Sequence, residues 1–407
     1  MSLTFRLSAL QWCQNSLYGF TVISLGTYLL NTLAFSGREV GLIYATSAIA
    51  ATFTPPVVGW LADRRYRADL LLPGLYIAAS LVLCTCFLAT SFWSFYSLFL
   101  LFNLLYIPTF GLLNAVCFHQ LEDPEAEYPF VRTWGTVGFM FVGLGLSYFG
   151  WETTAWPLIG AAATGLFGAL FCIGLDPIPP QPGFKLADLR GPEVSKLTSD
   201  CSMRVLLIAM LLSCIPSAFY YSFVNPFLNE IGWSAAAAKM TLGQVVEIAV
   251  LLLMPLTLRR LRFRTVVFWG LFWWGARYFA FALGRPEQLE WLLYLGIIVQ
   301  GFCFTWVVVA GQMYVDRRVP RALRSTAQGL ISFVSLGAGM MLGSWIAGEV
   351  VGGFELAAGI HDWRVIWCVP GVIGVLTAAW FWWRFPKVVR KSWEHTTSGT
   401  APCHAHE

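Results

Sequence analysis

The sequence predicts an all-α membrane protein of twelve transmembrane helices in two pseudo-symmetric halves of six. Three observations predict it. Only 12% of the 407 residues are charged and 57% are hydrophobic, where a soluble domain carries about 25% charge, and mean hydropathy is +0.65. Apolar segments long enough to cross roughly 30 Å of hydrocarbon recur along the whole chain. A polar, proline-rich stretch divides those segments into two equal sets.

Taken in order, the spans fall at 7–33, 39–62, 70–90, 94–118, 128–149 and 154–175, then at 204–228, 236–258, 265–284, 291–315, 325–348 and 364–385. The first run is too long for a signal peptide and no cleavage pattern follows it, so it reads as a retained span. Residues 1–175 then form an N-terminal six-helix bundle and 204–386 a C-terminal one. The stretch 176–203 carries Pro177, Pro179, Pro180, Pro182 and Pro192, which suit a linker and not a buried helix. Residues 387–407 read as a disordered tail, whose Cys403, His404 and His406 are expected to be solvated chain and not a metal site.

Orientation follows from the basic residues. With the N-terminus inside, the inner loops and tails hold Arg6, Arg64, Arg65, Arg67, Lys185, Arg190, Lys196, Arg204, Arg259, Arg260, Arg262, Arg264, Arg317, Arg318, Arg321, Arg324, Arg384, Lys387, Arg390 and Lys391. The outer loops hold only Arg38, Arg285 and Arg364. This asymmetry places both termini in the cytoplasm. The net charge of +4 is confined to those loops, so lipid is the expected surface and nucleic acid is not. The ten cysteines lie mostly singly within apolar runs, which predicts packing and neither a disulfide framework nor a structural metal. No cofactor is expected, and a monomer is.

Charge inside a span is costly, by about 2.5–3.5 kcal/mol even on lenient insertion scales, and so marks function. Arg132 heads the fifth span, with Thr136 and Phe139 following at i+4 and i+7 on one helical face. Only Glu247 and Arg277 are similarly isolated, and Glu247 supplies the only carboxylate. Gln244 and Glu247 share a face at i, i+3 on the eighth span. Gln14 and Asn114 are polar residues within apolar spans, fit either to line a path or to bond helices together. For Arg132 the plainer reading is a snorkelling interfacial residue, and for Glu247 a structural ion pair with Arg277.

Between the second and third spans, Gly59-Trp60-Leu61-Ala62-Asp63-Arg64-Arg65 resembles the Gly-x-x-x-Asp-Arg loop of the major facilitator superfamily. That resemblance implies that Gly59, Asp63 and Arg64 form a conformational lock. A narrower resemblance covers nearly the whole chain. It rests on Leu17-Tyr18-Gly19, Ser24-Leu25-Gly26-Thr27-Tyr28, Tyr106-Ile107-Pro108-Thr109, Arg132-Thr133-Trp134-Gly135-Thr136-Val137-Gly138, Gln244 with Glu247, Tyr314-Val315-Asp316 and Ala327-Gln328-Gly329. Together these are similar to the nucleoside:proton symporter family.

The resemblance implies a substrate site containing Arg132, Thr136, Phe139, Gln244, Glu247 and Phe304, with Tyr221 and Ala218 where the family carries Asn and Gln on the seventh span. Thr305 stands where the family often has Asp. The chemistry agrees with the residue types. A nucleoside offers a flat base for π faces and adjacent sugar hydroxyls for a carboxylate or carboxamide. Proton symport with Glu247 as the coupling residue is therefore expected. A sugar or polyol carrier uses the same groups, and a non-transporting nucleoside sensor is the alternative from another class. No Gly-x-x-x-x-Gly-Lys-Ser/Thr loop or enzymatic motif occurs, which argues against ATP-driven transport and against an enzyme.

Overall fold

The computed structural model describes residues 2–64, 66–178, 200–319, 324–357 and 359–386. Most of the predicted linker, the whole predicted tail with Cys403, His404 and His406, and Arg65 lie outside them. The described chain is helical throughout, apart from one small hairpin pairing Glu355–Ala357 with Ile360–His361. Eight described helices are long and apolar enough to cross a membrane, among them Ala68–Cys86, Phe92–Gln120, Cys201–Glu230 and Ala236–Arg260.

The helices fall into two compact units. The first comprises Met1–Phe184, Ala218–Gln244 and Ser344–Trp363; the second comprises Lys185–Ser217, Val245–Gly343 and Arg364–Glu407. In the first, the Leu3–Val22 helix packs along Pro124–Tyr148 and Trp156–Phe171, while Ala68–Cys86 packs on Trp156–Phe171 and on Phe92–Tyr106. In the second, Phe263–Leu283 packs on Glu290–Ile298 and Gln300–Phe304, and the Tyr278 and Trp367 rings stack with centroids 5.4 Å apart.

Bare backbone sets a further contact in the first unit. Gly37 and Gly41 on the Gly37–Arg64 helix face Gly348 and Gly352 on Met340–Gly353. A Cβ added at Gly41 would lie 2.5 Å from the Ser344 carbonyl oxygen and 2.7 Å from Gly348 Cα. Small residues four apart on both helices permit this approach, the usual device where no water is available to drive packing. Arg38 and Glu349 pair at 2.8 Å beside it, both substantially exposed, so the pair adds at most about 1 kcal/mol.

The first predicted span, 7–33, is not one helix. It runs as Leu3–Val22, breaks at Ile23 and Ser24, and resumes as a short turn, Leu25–Thr27, and a π turn, Tyr28–Thr32. In a bilayer the backbone groups freed by such a break need partners. Tyr44 supplies them: its hydroxyl donates to the Val22 carbonyl at 2.9 Å and accepts the Gly26 N–H at 3.0 Å. Two more π turns, Thr305–Val309 and Phe333–Gly339, interrupt the tenth and eleventh predicted spans.

Candidate functional site

The Pro124–Tyr148 helix carries Arg132, Thr136 and Phe139 along one face. Gly138 lets that helix close on Leu3–Val22, since a Cβ there would meet the Trp12 carbonyl oxygen at 2.5 Å. Phe139 borders a small cavity of about 20 Å³, partly open to solvent, whose other walls are Val22, Ile23, Tyr220, Tyr221, Ala237, Met240, Thr241 and Gln244. Tyr220 and Tyr221 meet edge to face at 5.7 Å. The cavity therefore presents aromatic and aliphatic walls with one side-chain amide among them. It lies within the first unit, on helices from both sequence halves.

Arg132 is exposed, and its Nη1 donates to Gln11 Oε1 at 3.5 Å. Gln11 Nε2 in turn donates to Asn114 Oδ1 at 3.4 Å, an oxygen that also accepts the Tyr128 hydroxyl at 2.8 Å. Asn114 thus belongs to the chain of polar groups that reaches the guanidinium. Gln14 does not belong to it. Gln14 is 1% exposed, and its amide exchanges hydrogen bonds with the Thr109 hydroxyl at 3.0 and 3.1 Å and accepts from the Tyr76 hydroxyl. The Tyr106 hydroxyl donates to its carbonyl oxygen at 2.5 Å.

In the second unit, Glu247 is half-buried on the Ala236–Arg260 helix. Gly301 crosses that helix so closely that a Cβ on it would lie 2.4 Å from the Glu247 backbone nitrogen. Arg277 is 1% exposed and donates to Gln300 Oε1 and, at 3.0 Å, to the Tyr278 hydroxyl. Phe304 ends the helix Gln300–Phe304, and Thr305 opens the π turn after it. The Thr305 side chain is fully buried, and its hydroxyl has no hydrogen-bond partner among the described residues. π turns inside helices occur frequently at functional sites.

Gly59, Asp63 and Arg64 stand in the last turns of the Gly37–Arg64 helix; the side chains of Asp63 and Arg64 lie outside the described residues. One buried acid escaped the sequence reading. Glu152, in the turn after Tyr148, is 6% exposed and bonded to Ser147, Asn225 and Asn229. Its signal was present: it is the only acid between Glu127 and Asp176.

Eight long apolar helices among the described residues mark a multi-pass membrane protein. The profile of the nucleoside H+ symporter family matches residues 1–389, and the chain belongs to that family. It is accordingly a transporter and not an enzyme, and it couples nucleoside import to protons. Membership favours neither the sugar carrier nor the sensor. The chain is 31% identical over 398 residues to the putative nucleoside transporter YegT of Escherichia coli (strain K12), covering 94% of this chain and 93% of that one. It is 28% identical over 404 residues to the xanthosine permease of the same organism, covering 95% and 96%. The crystal structure of the nucleoside transporter NupG matches at TM-score 0.87 and 28% identity over 94% of this chain and 98% of that one. A D-xylose-proton symporter, at 16% identity and TM-score 0.69 over 95% and 98%, shares the fold.

Proposed function

We propose that this chain imports nucleosides across the inner membrane through a site in which Phe139, Tyr220 and Tyr221 receive the base and Gln244 the sugar. The observation that carries this reading is the convergence of those four side chains on one small cavity, which must widen to admit a nucleoside. Aromatic walls suit a flat heterocycle, and a carboxamide both donates to and accepts from hydroxyls. Arg132 and Thr136 are the charged and hydroxyl contacts on the same helix as Phe139, and Asn114 fixes the guanidinium through Gln11. Phe304 and Thr305 are substrate contacts on the strength of the family resemblance. Gln14 acts as scaffold, because every polar atom of its side chain is engaged between helices.

Glu247 is the proton-coupling residue in this reading. A carboxyl group away from bulk water changes its proton affinity according to whether a cation or a substrate hydroxyl stands beside it. The chain spans the membrane twelve times as two halves of six, 1–175 and 204–386, joined by the 176–203 linker. Both termini lie in the cytoplasm, and the protein works as a monomer. Gly59, Asp63 and Arg64 lock helix ends in one conformation of the cycle.

The test is uptake of labelled uridine and adenosine into proteoliposomes under an imposed pH gradient. The expected result is accumulation that collapses when a protonophore is added, with free ribose failing to compete. Competition by ribose or hexoses at the potency of nucleosides, or accumulation indifferent to the gradient, would overturn the proposal.

A further inference from the structure

Glu152 lies in the turn between Pro124–Tyr148 and Trp156–Phe171, yet its carboxylate is almost fully buried. Oε2 accepts Asn225 Nδ2 at 2.9 Å and Asn229 Nδ2 at 2.9 Å. Oε1 accepts the Ser147 hydroxyl at 2.6 Å. The Ala237 N–H approaches both oxygens, at 3.2 and 3.3 Å. Around it, the Ala238 N–H donates to Ser147 Oγ at 2.9 Å, and Thr27 Oγ1 donates to Asn225 Oδ1 at 2.5 Å. The acid is held by neutral donors and by the first turn of the Ala236–Arg260 helix, where the N-terminal end of a helix favours a negative charge.

The placement of these donors gives the carboxylate its meaning. Asn225 and Asn229 sit one and two turns beyond Tyr221 on the helix that carries Tyr220 and Tyr221. Ala237 borders the cavity and leads the stretch that carries Met240, Thr241 and Gln244. Ser147 and Glu152 follow the helix that carries Phe139. One carboxylate therefore ties the two cavity-lining helices of the second sequence half to the cavity-lining helix of the first. A buried ionised carboxylate that loses such donors must be hydrated or take up a proton. Hydrating this one requires the turn to part from both helices, which breaks all of these bonds together.

We propose that Glu152 is a positioning residue of the transport site: a clasp that holds Tyr220, Tyr221 and the Ala237–Gln244 stretch against Phe139, and that releases when this end of the cavity opens. The proposal rests on the nucleoside-transport reading for its role in the cycle, but the clasp is measured without it.

The experiment uses the full chain in nanodiscs, where both faces are reachable. Ser222→Cys serves as reporter; Ser222 is 1% exposed, and its carbonyl oxygen lies 2.3 Å from where a Cβ on Gly26 would stand. Glu152→Gln turns an amide N–H2 toward the donors of Asn225, Asn229 or Ala237. Maleimide labelling of the reporter, above the background of the native cysteines, is expected to accelerate at least about tenfold, the loss of one charge-assisted hydrogen bond. The double variant Glu152→Gln, Asn229→Asp restores an acceptor opposite the new donor and is expected to return labelling to within about twofold of the parent. Merely structural damage would not be rescued in this way. Labelling of a folded Glu152→Gln chain within about twofold of the parent overturns the clasp, as does failure of the double variant to slow it. Should Glu152→Gln not fold, Asn229→Ala keeps the carboxylate and its other donors, and unchanged labelling there overturns the proposal equally. Uridine binding to the parent chain is measured in the same samples: its absence refutes the nucleoside reading, while the labelling result still decides the clasp.

Discussion

Two sites bury polar side chains in helices to opposite ends, and the contrast is between Gln14 and the Gln300–Thr305 corner, since the Ser8 and Ser16 hydroxyls on the Gln14 helix are also buried without a partner among the described residues. On Leu3–Val22, Gln14 is enclosed by the Tyr76, Thr109 and Tyr106 hydroxyls, and its amide is fully engaged with other helices. On Gln300–Val309, the Thr305 hydroxyl and the Gln300 Nε2 are buried with no hydrogen-bond partner, and the backbone at Thr305 turns from α to π. Ser335, inside the second π turn, repeats the pattern of a buried, unpartnered hydroxyl. The difference teaches where rigidity and change reside. A saturated network resists rearrangement, whereas an irregular helix with unpaired polar atoms holds groups that gain a partner only when something moves or binds.

The comparison is broken or sharpened by four substitutions, beginning with the largest effect. In the second unit, Glu247→Gln is expected to abolish accumulation against a gradient while nucleoside counterflow persists. Uptake with and without an imposed pH difference measures this, and full accumulation by the variant would remove Glu247 from proton coupling. In the first unit, Arg132→Ala should weaken nucleoside binding by about tenfold to a hundredfold, the worth of a charge-assisted hydrogen bond. Titration calorimetry reads it directly, and an unchanged Kd would make Arg132 an interfacial anchor.

Gln14→Ala is expected to act on stability instead. Hydrogen bonds between membrane helices average about 0.6 kcal/mol, so loss of the contacts to Tyr76 and Thr109 should cost about 1–2 kcal/mol, read as a lower Tm with nucleoside affinity almost unaltered. A collapse of affinity at parental Tm would place Gln14 on the substrate and erase the contrast. The smallest effect belongs to Thr305→Val. Removing a hydroxyl that bonds to nothing should leave Tm within the equivalent of about 0.5 kcal/mol, and any change in transport at unaltered Tm would locate a role for that hydroxyl in another state of the cycle.

The periodicity of the sequence sufficed for some of this and not for the rest. Arg132, Thr136 and Phe139 were legible as one face because spacing on a regular helix fixes direction. Gln244 was legible as a polar group in an apolar span. What surrounds Gln14 was not, because its partners Tyr76, Tyr106 and Thr109 lie 62, 92 and 95 residues away, and no local pattern records a long-range contact. The break at Ile23 and Ser24 was hidden inside an unbroken apolar run, since its stabilising group is the hydroxyl of Tyr44 on another helix. Glu152 was passed over because a carboxylate in a turn is ordinarily solvated, and only the approach of Asn225, Asn229 and Ala237 buries it.

The glycine seam between Gly37–Gly41 and Gly348–Gly352 has a further consequence. Surfaces without side chains have no rotamers to fix, so this contact closes without the entropy loss that interdigitated leucines would incur. A single methyl group at Gly41 would meet the Ser344 carbonyl oxygen and Gly348 Cα and wedge the two helices apart.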